Sequence, residues 1–449
     1  MVTGMGALSL VVTALCNIYY GRGLVSDQAG LKVVSGPPRM KSASSLRTYV
    51  RKLHDRVRTL ADACLGVLLV ALVANLHFLP IAFCFLFFAL TTNLRPLAVA
   101  FYGVMAAGVE FLMVVSRSIA IHLYLKNAHE GEPTKRRHRF HVTYALPQLL
   151  VACVPALATY YHYRYDMDAL VPVLILTVWI YAYEITYRGH PEQTGSRERL
   201  NWITGPSYLV EAVKRYFRGQ IIRAAPLDPT RHYIFSFHPH GIIPISVAWL
   251  QFNAQWRHLF PNVHAHVLTA SILHQLPLAR DVLHFYGSRE VARPAFAATL
   301  AQQHSVLLVP GGQAEMLHQR SGRKQVRVYT QHKGFIRLAL EHGVPLVPVL
   351  SFREGEIMDN IQAPGLQRWF VKHLAFPFPH YPYGRALLPI PRRVEIPIVV
   401  GEPLDVPHIE RPTPDDVDKV HAQYFARLRE LFDQFKEQVG CADYTLVLI

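Results

Sequence analysis

The chain has 449 residues, of which 51% are hydrophobic, so it can build a sizeable soluble core and still supply apolar residues to a membrane. Its formal net charge of +15 suits nucleic acid, anionic lipid or a polyphosphate ligand, but no RNA- or DNA-binding signature accompanies the charge, and nucleic acid is therefore not expected as a partner. The five cysteines are odd in number and lack CxxC pairing, which argues against a disulfide framework and a zinc site, and many of the 24 histidines are scattered through the second half of the chain without metal-ligand spacing.

The first predicted element is a basic N-terminal segment, residues 1–59, with an apolar start. Residues 1–21 carry no charge and include the apolar stretch Gly6–Cys16. A signal peptide would normally begin with a basic region, which is missing here. An anchoring or peripheral segment is therefore favoured over a cleaved one, and the sequence leaves open whether residues 5–20 span a membrane.

Residues 60–187 are predicted to form an all-α transmembrane region of about four helices, because apolar runs in this region approach or exceed the roughly 20 residues that cross a bilayer. Lys and Arg cluster before the first run and between the second and third, and such residues tend to remain cytosolic. The pattern places both the N-terminal segment and the C-terminal half in the cytosol. The four runs are Cys64–Leu90, Pro96–Val115, Val142–Tyr160 and Leu170–Tyr183.

Residues 188–449 are predicted to form a cytosolic α/β domain, since strand-like runs alternate with helical ones between Gly and Pro residues. A helix is expected from Lys333 to Glu341, with Gly343 as its stop. A second helix is expected at the C-terminus, with Thr413 as its cap and Asp416 completing a capping box. The predicted strands are Tyr233–Phe237, Ser305–Val309, Leu346–Leu350 and Val394–Val400.

Two histidines, His238 and His240, follow the first of these strands directly, at the edge where α/β proteins place their sites. The spacing alone is compatible with a metal site, with acid/base catalysis or with no function. The next strand ends in Gly311 and Gly312, followed by Glu315. Together these residues supply a base, an orienting acid and amide donors for an oxyanion, and this combination predicts a site.

Three motifs resemble those of the type-2 diacylglycerol acyltransferase family, which includes monoacylglycerol and wax-alcohol acyltransferases. They are HPHG at 238–241, PGGQAE at 310–315 and the segment His332–Phe352. The resemblance extends over residues 195–438. It implies an α/β acyltransferase domain, with a mixed sheet and flanking helices, that follows the transmembrane region in sequence. Two departures stand out: His332 replaces the arginine that usually begins the third motif, and Arg353 precedes Glu354 where the family usually has glycine.

The resemblance implies direct acyl transfer from acyl-CoA to a lipid alcohol, diacylglycerol first, with neither a cofactor nor a metal. We expect His240 to be the general base, with His238 as the alternative, and Glu315 to orient its imidazole. The backbone N–H groups of Gly241, Gly311 and Gly312 are the expected oxyanion donors. The cations expected to contact the phosphates of CoA are Arg289, Lys333, Arg337, Arg385 and Arg393.

This function implies a multi-pass protein of the endoplasmic reticulum membrane, associated with lipid droplets and in contact with membrane lipid; a homo-oligomer is left open. Monoacylglycerol, a wax alcohol or a sterol could replace diacylglycerol as acceptor. A glycerophospholipid acyltransferase is disfavoured, because its HxxxxD signature would need Asp at Ile243 or Ile245. The alternative of another class is a membrane transporter or a lipid-binding protein with metal-binding histidines.

Overall fold

The computed structural model describes residues 64, 66–68, 70–71, 86, 89, 191–195, 208–276, 278–319, 321–374 and 380–449. All of these belong to one compact unit, Ala61–Ile449. The second, third and fourth predicted spans lie outside the described residues, and the first is described at eight positions only, each of them helical. Within the described part of the chain, no helix combines the length and apolar composition that a membrane crossing requires.

A seven-stranded mixed sheet forms the centre of the domain, in the order β1-β10-β7-β2-β5-β3-β4. Strand β2 is parallel to both of its neighbours, β5 and β7, whereas β10 runs antiparallel to β7. The strands are β1 (Gln220–Arg223), β2 (Ile234–His238), β3 (Ala265–Thr269), β4 (Arg289–Glu290), β5 (Ser305–Leu308), β6 (Gln325–Val328), β7 (Leu346–Ser351), β8 (Asp359–Asn360), β9 (Pro382–Tyr383), β10 (Pro397–Val400) and β11 (Thr445–Leu448).

Two small sheets accompany the central one. Strand β11 pairs with β6 in parallel, and β8 pairs with β9 in antiparallel orientation. The described helices are α1 (Pro191–Thr194), α2 (Tyr208–Tyr216), α3 (Val247–Leu250), α4 (Ala254–Leu259), α5 (Ala279–Phe285), α6 (Arg293–Ala301), α7 (Gly312–Met316), α8 (Gly334–His342), α9 (Pro364–Leu374) and α10 (Pro414–Phe435).

Helices cover both faces of the sheet, so the strands are buried on both sides and consist largely of Val, Leu, Ile and Phe. Because side chains alternate along a strand, Phe235 and Phe237 of β2 pack into one core with Trp249 and Trp256. Ile234 packs into the other core, which α8 and α10 complete. Each large side chain buried in these cores contributes about 1.5–3 kcal/mol.

The two helices predicted from sequence are confirmed. Helix α8 ends at Gly343, whose φ of 63° is left-handed, as a glycine cap requires. Helix α10 begins with the expected capping box between Thr413 and Asp416. Strands β2, β5 and β7 lie within one or two residues of their predicted bounds, whereas β10 begins at Pro397 rather than Val394.

Candidate active site

The loops that carry the predicted site leave the sheet at one edge. Strands β2, β5 and β7 are adjacent and parallel, so their carboxyl ends lie side by side. The loop after β2 carries the two histidines, the loop after β5 carries Gly311, Gly312 and the short helix α7, and the loop after β7 carries Glu354. The sheet therefore brings together residues that are more than a hundred positions apart in sequence.

His240 is the partly exposed histidine of the pair. Its Nδ1 lies 3.1 Å from the carbonyl oxygen of Gly241, so Nδ1 carries the proton and donates it to this acceptor. Its Nε2 has no hydrogen-bond partner among the described residues and is left as an acceptor. Burial lowers the pKa of His240 to about 4, so the imidazole is neutral at physiological pH and able to take up a proton.

His238 points away from this edge. It has the same strand parity as Ile234 and is buried beneath α10, where its ring packs against Tyr424 and Phe425. Its Nε2 shares a hydrogen bond of 2.9 Å with the Tyr424 hydroxyl. Burial lowers the pKa of His238 to about 3, which keeps this ring neutral as well. Among the two histidines, only His240 is exposed to an incoming substrate.

Glu315 is fully buried, and its carboxylate contacts backbone rather than the imidazole. It accepts hydrogen bonds from the N–H of His240 and, at 2.9 Å, from the N–H of Tyr329. The sequence led us to expect that Glu315 orients the ring of His240, and the structure shows it holding the main chain on which that ring is mounted. Burial raises the pKa of Glu315 to about 7, against the two hydrogen bonds, which lower it.

Two glycines make this arrangement sterically feasible. A Cβ on Gly311 would overlap the carboxylate of Glu315, so only glycine fits at this position. Gly241 has a φ of 63° and lies against the backbone of Glu354, where a Cβ would meet the carbonyl oxygen at 3.3 Å. The N–H of Gly312 donates to Val309 at 3.2 Å, while the N–H groups of Gly241 and Gly311 have no partner among the described residues.

Glu354 is a buried carboxyl group of the site to which sequence reasoning assigned no role. It accepts hydrogen bonds from the N–H and the hydroxyl of Ser246, which ends the histidine loop, and from the Ser351 hydroxyl at 3.0 Å. Burial raises the pKa of Glu354 to about 7, although these hydrogen bonds lower it. Its place just after the third motif was the only signal, because the contact with Ser246 spans 108 residues.

The residues before α8 support the glycine turn. His332, at the position where the family usually has arginine, donates from Nδ1 to the carbonyl oxygen of Pro310 at 2.8 Å. His421 of α10 lies 2.7 Å from the carbonyl oxygen of Thr330. Together with the Tyr329 bond to Glu315, these contacts hold residues 329–332 beside the turn.

The five predicted CoA-binding cations do not form one cluster. Arg289 lies buried in β4 at the far end of the sheet and donates to Thr299 at 3.0 Å and to Gln302 at 2.9 Å. Lys333 pairs with Asp418 at 2.6 Å, and Arg337 donates to the carbonyl oxygen of Pro412 at 2.9 Å. Burial raises the pKa of Tyr216, and the exposed Arg385 and Arg393 lower it.

Lys333 is the N-cap residue of α8, next to the glycine turn, and Arg385 and Arg393 are solvent-facing, so these three are placed to meet an anionic ligand. Arg289 already ties β4 to α6. Among the residues that the structure describes, no three His, Cys, Asp or Glu side chains are grouped so that they could hold a metal ion.

A neutral histidine with an unoccupied Nε2, next to two N–H groups without partners, suits reactions in which a hydroxyl proton is removed while an oxyanion forms. The fold and site therefore define an enzyme of the group-transfer class.

Comparisons with known proteins specify the class. A family model described as diacylglycerol acyltransferase matches residues 167–449. The chain is 32% identical to diacylglycerol O-acyltransferase 2 of Xenopus tropicalis, covering 67% of this chain and 84% of that protein. It is 31% identical to human acyl-CoA wax alcohol acyltransferase 2, covering 61% of this chain and 84% of that protein. The chain belongs to the diacylglycerol acyltransferase family, and it is an acyltransferase.

A more distant likeness is to a crystal structure of a 1-acyl-sn-glycerophosphate acyltransferase from Thermotoga maritima, at 11% identity and a TM-score of 0.29, covering 64% of this chain and 97% of that one. This likeness is too low to support an inference.

Proposed function

We propose that this chain transfers the acyl group of acyl-CoA to the free hydroxyl of diacylglycerol, releasing triacylglycerol and CoA. The observation that carries the proposal is His240, a neutral and partly exposed imidazole with its Nε2 unoccupied at the shared edge of β2, β5 and β7. The names of relatives about 32% identical to the chain support diacylglycerol as the acceptor.

In the first step, the acceptor hydroxyl gives its proton to Nε2 of His240 as its oxygen attacks the thioester carbonyl carbon. The Gly241 carbonyl, which accepts from Nδ1, fixes the tautomer that leaves Nε2 free and also stabilises the imidazolium once it forms. Because the ring is partly desolvated, the proton is held weakly, which favours its return in the second step.

The tetrahedral intermediate places a negative charge on the former carbonyl oxygen. The N–H groups of Gly241 and Gly311 are free to donate to this oxygen, whereas that of Gly312 already donates to Val309. When the intermediate collapses, the carbon–sulfur bond breaks, and the imidazolium of His240 returns the proton to the CoA thiolate. No acyl-enzyme is formed, and the histidine ends in its starting state.

In this mechanism Glu315 is a positioning residue for His240. Its carboxylate joins the His240 N–H to the Tyr329 N–H and so fixes the histidine loop against the glycine turn. A displacement of about 1 Å at a reacting group can cost on the order of 10²-fold in rate. The contribution of Glu315 is therefore to hold His240 and the Gly311 N–H at a constant separation.

We further propose that the enzyme works at the endoplasmic reticulum membrane as a multi-pass protein, with residues 188–449 in the cytosol and its product gathering in lipid droplets. The apolar runs between residues 60 and 187 and their basic flanks support this setting. The acceptor and the product are both too apolar to leave a bilayer, whereas acyl-CoA is drawn from water.

The acceptor is tested by incubating membranes that contain the protein with labelled oleoyl-CoA and, in separate reactions, diacylglycerol, monoacylglycerol and a long-chain alcohol. We expect labelled triacylglycerol to form fastest. Faster labelling of monoacylglycerol or of the alcohol would change the acceptor but keep the reaction. An absence of product with every acceptor would reject acyl transfer and favour transport or lipid binding.

A further inference from the structure

The connection between β8 and β10 exposes large apolar side chains to an unusual degree. Nine large hydrophobic residues are exposed in the part of the chain that the structure describes, and six of them fall within residues 361–388, here named the apolar excursion. Clustered exposure of this kind marks an interaction surface, whereas single exposed residues are ordinary. The six are Ile361, Leu366, Trp369, Tyr381, Leu387 and Leu388.

Helix α9, the helical part of the apolar excursion, directs apolar residues outward. Leu366 and Trp369 are three positions apart, lie on one side of the helix and are 50% and 53% exposed. Between them, the polar Gln367 is buried and donates from Nε2 to the carbonyl oxygen of Ile361 at 2.9 Å. A helix whose outer side faces water normally exposes its polar residues and buries its apolar ones.

The charge around this surface has one sign. Residues 360–394 contain five Lys or Arg and no Asp or Glu. Arg368 is exposed between Leu366 and Trp369, and Arg385 is exposed next to Leu387. Apolar residues with Trp and Tyr among basic side chains are typical of segments that lie in the interface of an anionic bilayer. A second copy of the same surface would repel it, since no acidic residue is available to pair.

The base of the apolar excursion is attached to the active site. Asp359 of β8 accepts from Ser321 at 2.7 Å and from Arg392 at 2.6 Å. Gln319, two residues before Ser321, donates to the carbonyl oxygen of Gly355, next to Glu354, at 3.2 Å. These contacts join the surface to the chain that follows α7 and to the turn that follows β7, so a membrane bound there would lie near the catalytic loops.

We propose that the apolar excursion is a docking surface for an anionic lipid bilayer, on which it seats the catalytic edge where a membrane-borne acceptor can enter. The proposal builds on the function proposed above, because it supplies the route of the acceptor. Trp369, Leu366, Leu387 and Leu388 insert at the level of the lipid headgroups. Arg368 and Arg385 contact anionic headgroups. Membrane contact through this surface does not depend on the acyl transfer itself.

The test uses the emission of Trp369, one of five tryptophans in the chain. The full-length protein is reconstituted in vesicles of phosphatidylcholine and phosphatidylserine, with and without brominated phosphatidylcholine, which quenches tryptophan on contact. Subtracting the Trp369→Phe variant isolates the Trp369 signal. We expect the bromolipid to reduce this signal strongly, and to reduce it less when phosphatidylserine is omitted.

The matched control carries Trp369→Phe with Val291→Trp, because Val291 is an exposed apolar residue outside the apolar excursion, at 37% exposure. Its added emission should resist the bromolipid. Equal quenching at both positions, or a Trp369 signal that no bromolipid reduces, would overturn the proposal.

Acyl transfer by the same vesicles separates the two proposals. Quenching of Trp369 without labelled triacylglycerol would reject the proposed function and retain the docking surface. Labelled triacylglycerol without quenching of Trp369 would retain the proposed function and reject the docking surface. Leu366→Asp with Leu388→Asp should lower the rate on vesicle-borne diacylglycerol and leave the rate on a short-chain, detergent-dispersed diacylglycerol unchanged; equal losses on both would also contradict docking.

Discussion

Two histidines separated by a single proline have different surroundings, and this difference assigns their roles. His238 is still part of β2, so the alternation of the strand turns its ring into the core beneath α10. His240 follows the strand and stands on the loop, partly exposed. The sequence could propose both as bases, but it could not separate them, because the separating contact with Tyr424 spans 186 residues.

The His238 contact leads to a prediction for Tyr424→Phe. The change leaves the buried Nε2 of His238 without its hydrogen bond, which should lower the free energy of unfolding by about 1–3 kcal/mol. The rate per folded molecule should stay within a few-fold of the unmodified rate, since this pair faces away from the substrate. Thermal unfolding in detergent and an acyl-transfer assay measure the two effects.

Tyr444→Phe is the matched control, because its hydroxyl has no hydrogen bond among the described residues, and it should change stability less. A large loss of rate in Tyr424→Phe at unchanged stability would contradict the structural role given to His238.

Gly311 tests the packing of the Glu315 carboxylate. In Gly311→Ala, the new Cβ would displace the Glu315 carboxylate and release the backbone of His240. We expect a rate loss on the order of 10²-fold together with a lower unfolding midpoint, because the buried carboxylate of Glu315 loses its hydrogen bonds. Gly334→Ala serves as the control, since no atom lies within 4 Å of the position that its Cβ would take. Normal turnover by Gly311→Ala would show that Glu315 does not position the loop.

At the scale of elements, local patterns predicted what local forces determine. The capping box of α10 and the glycine stop of α8 depend on neighbouring residues and were recognisable in the sequence. The short strands β4, β6, β8 and β9 were not, because they contain two to four residues and exist through pairing with distant partners. The hydrogen bonds from backbone N–H groups to Glu315 also depend on tertiary structure, so the spacing of residues in the sequence does not predict them.

The α10 cap provides the prediction at this scale. The Thr413 hydroxyl accepts from the Asp416 N–H at 3.2 Å, and the Asp416 carboxylate accepts from the Thr413 N–H at 2.9 Å. Thr413→Ala should lower stability by about 1 kcal/mol, because a donor of the first turn loses its acceptor. Thr413→Ser keeps the hydroxyl and should lose much less. Equal unfolding midpoints for the Ala and Ser variants would show that the cap is not stabilising.

At the scale of the whole molecule, two buried carboxyl groups hold together the loops of the catalytic edge, and both have raised pKa values. Glu354 ionises near 4.5 when solvated and near 7 in the folded protein, because burial disfavours its charge. Folding therefore favours the neutral form. The stability that this group contributes is fully present below about pH 4.5 and is lost as the pH rises through about 7.

As the pH rises from about 5 to about 8, the unmodified protein should lose stability because Glu354 ionises. Glu354→Gln cannot ionise at this position, so its stability should fall less over the same range. By the shift in pKa the difference amounts to roughly 3 kcal/mol over that range. Unfolding midpoints measured across the range test it, with Glu430→Gln, an exposed glutamate on α10, as a control that should keep the slope of the unmodified protein. A parallel pH dependence in Glu354→Gln would refute the buried-carboxyl account.

The central claim is that His240 takes the hydroxyl proton during direct acyl transfer. The decisive measurement is the initial rate of labelled triacylglycerol formation by His240→Ala, compared with the unmodified protein and with His264→Ala, which removes an exposed histidine outside the site. The account predicts a loss on the order of 10²–10⁴-fold for His240→Ala alone, with the fold intact. A rate within a few-fold of the unmodified protein would contradict the assignment of His240 as the base.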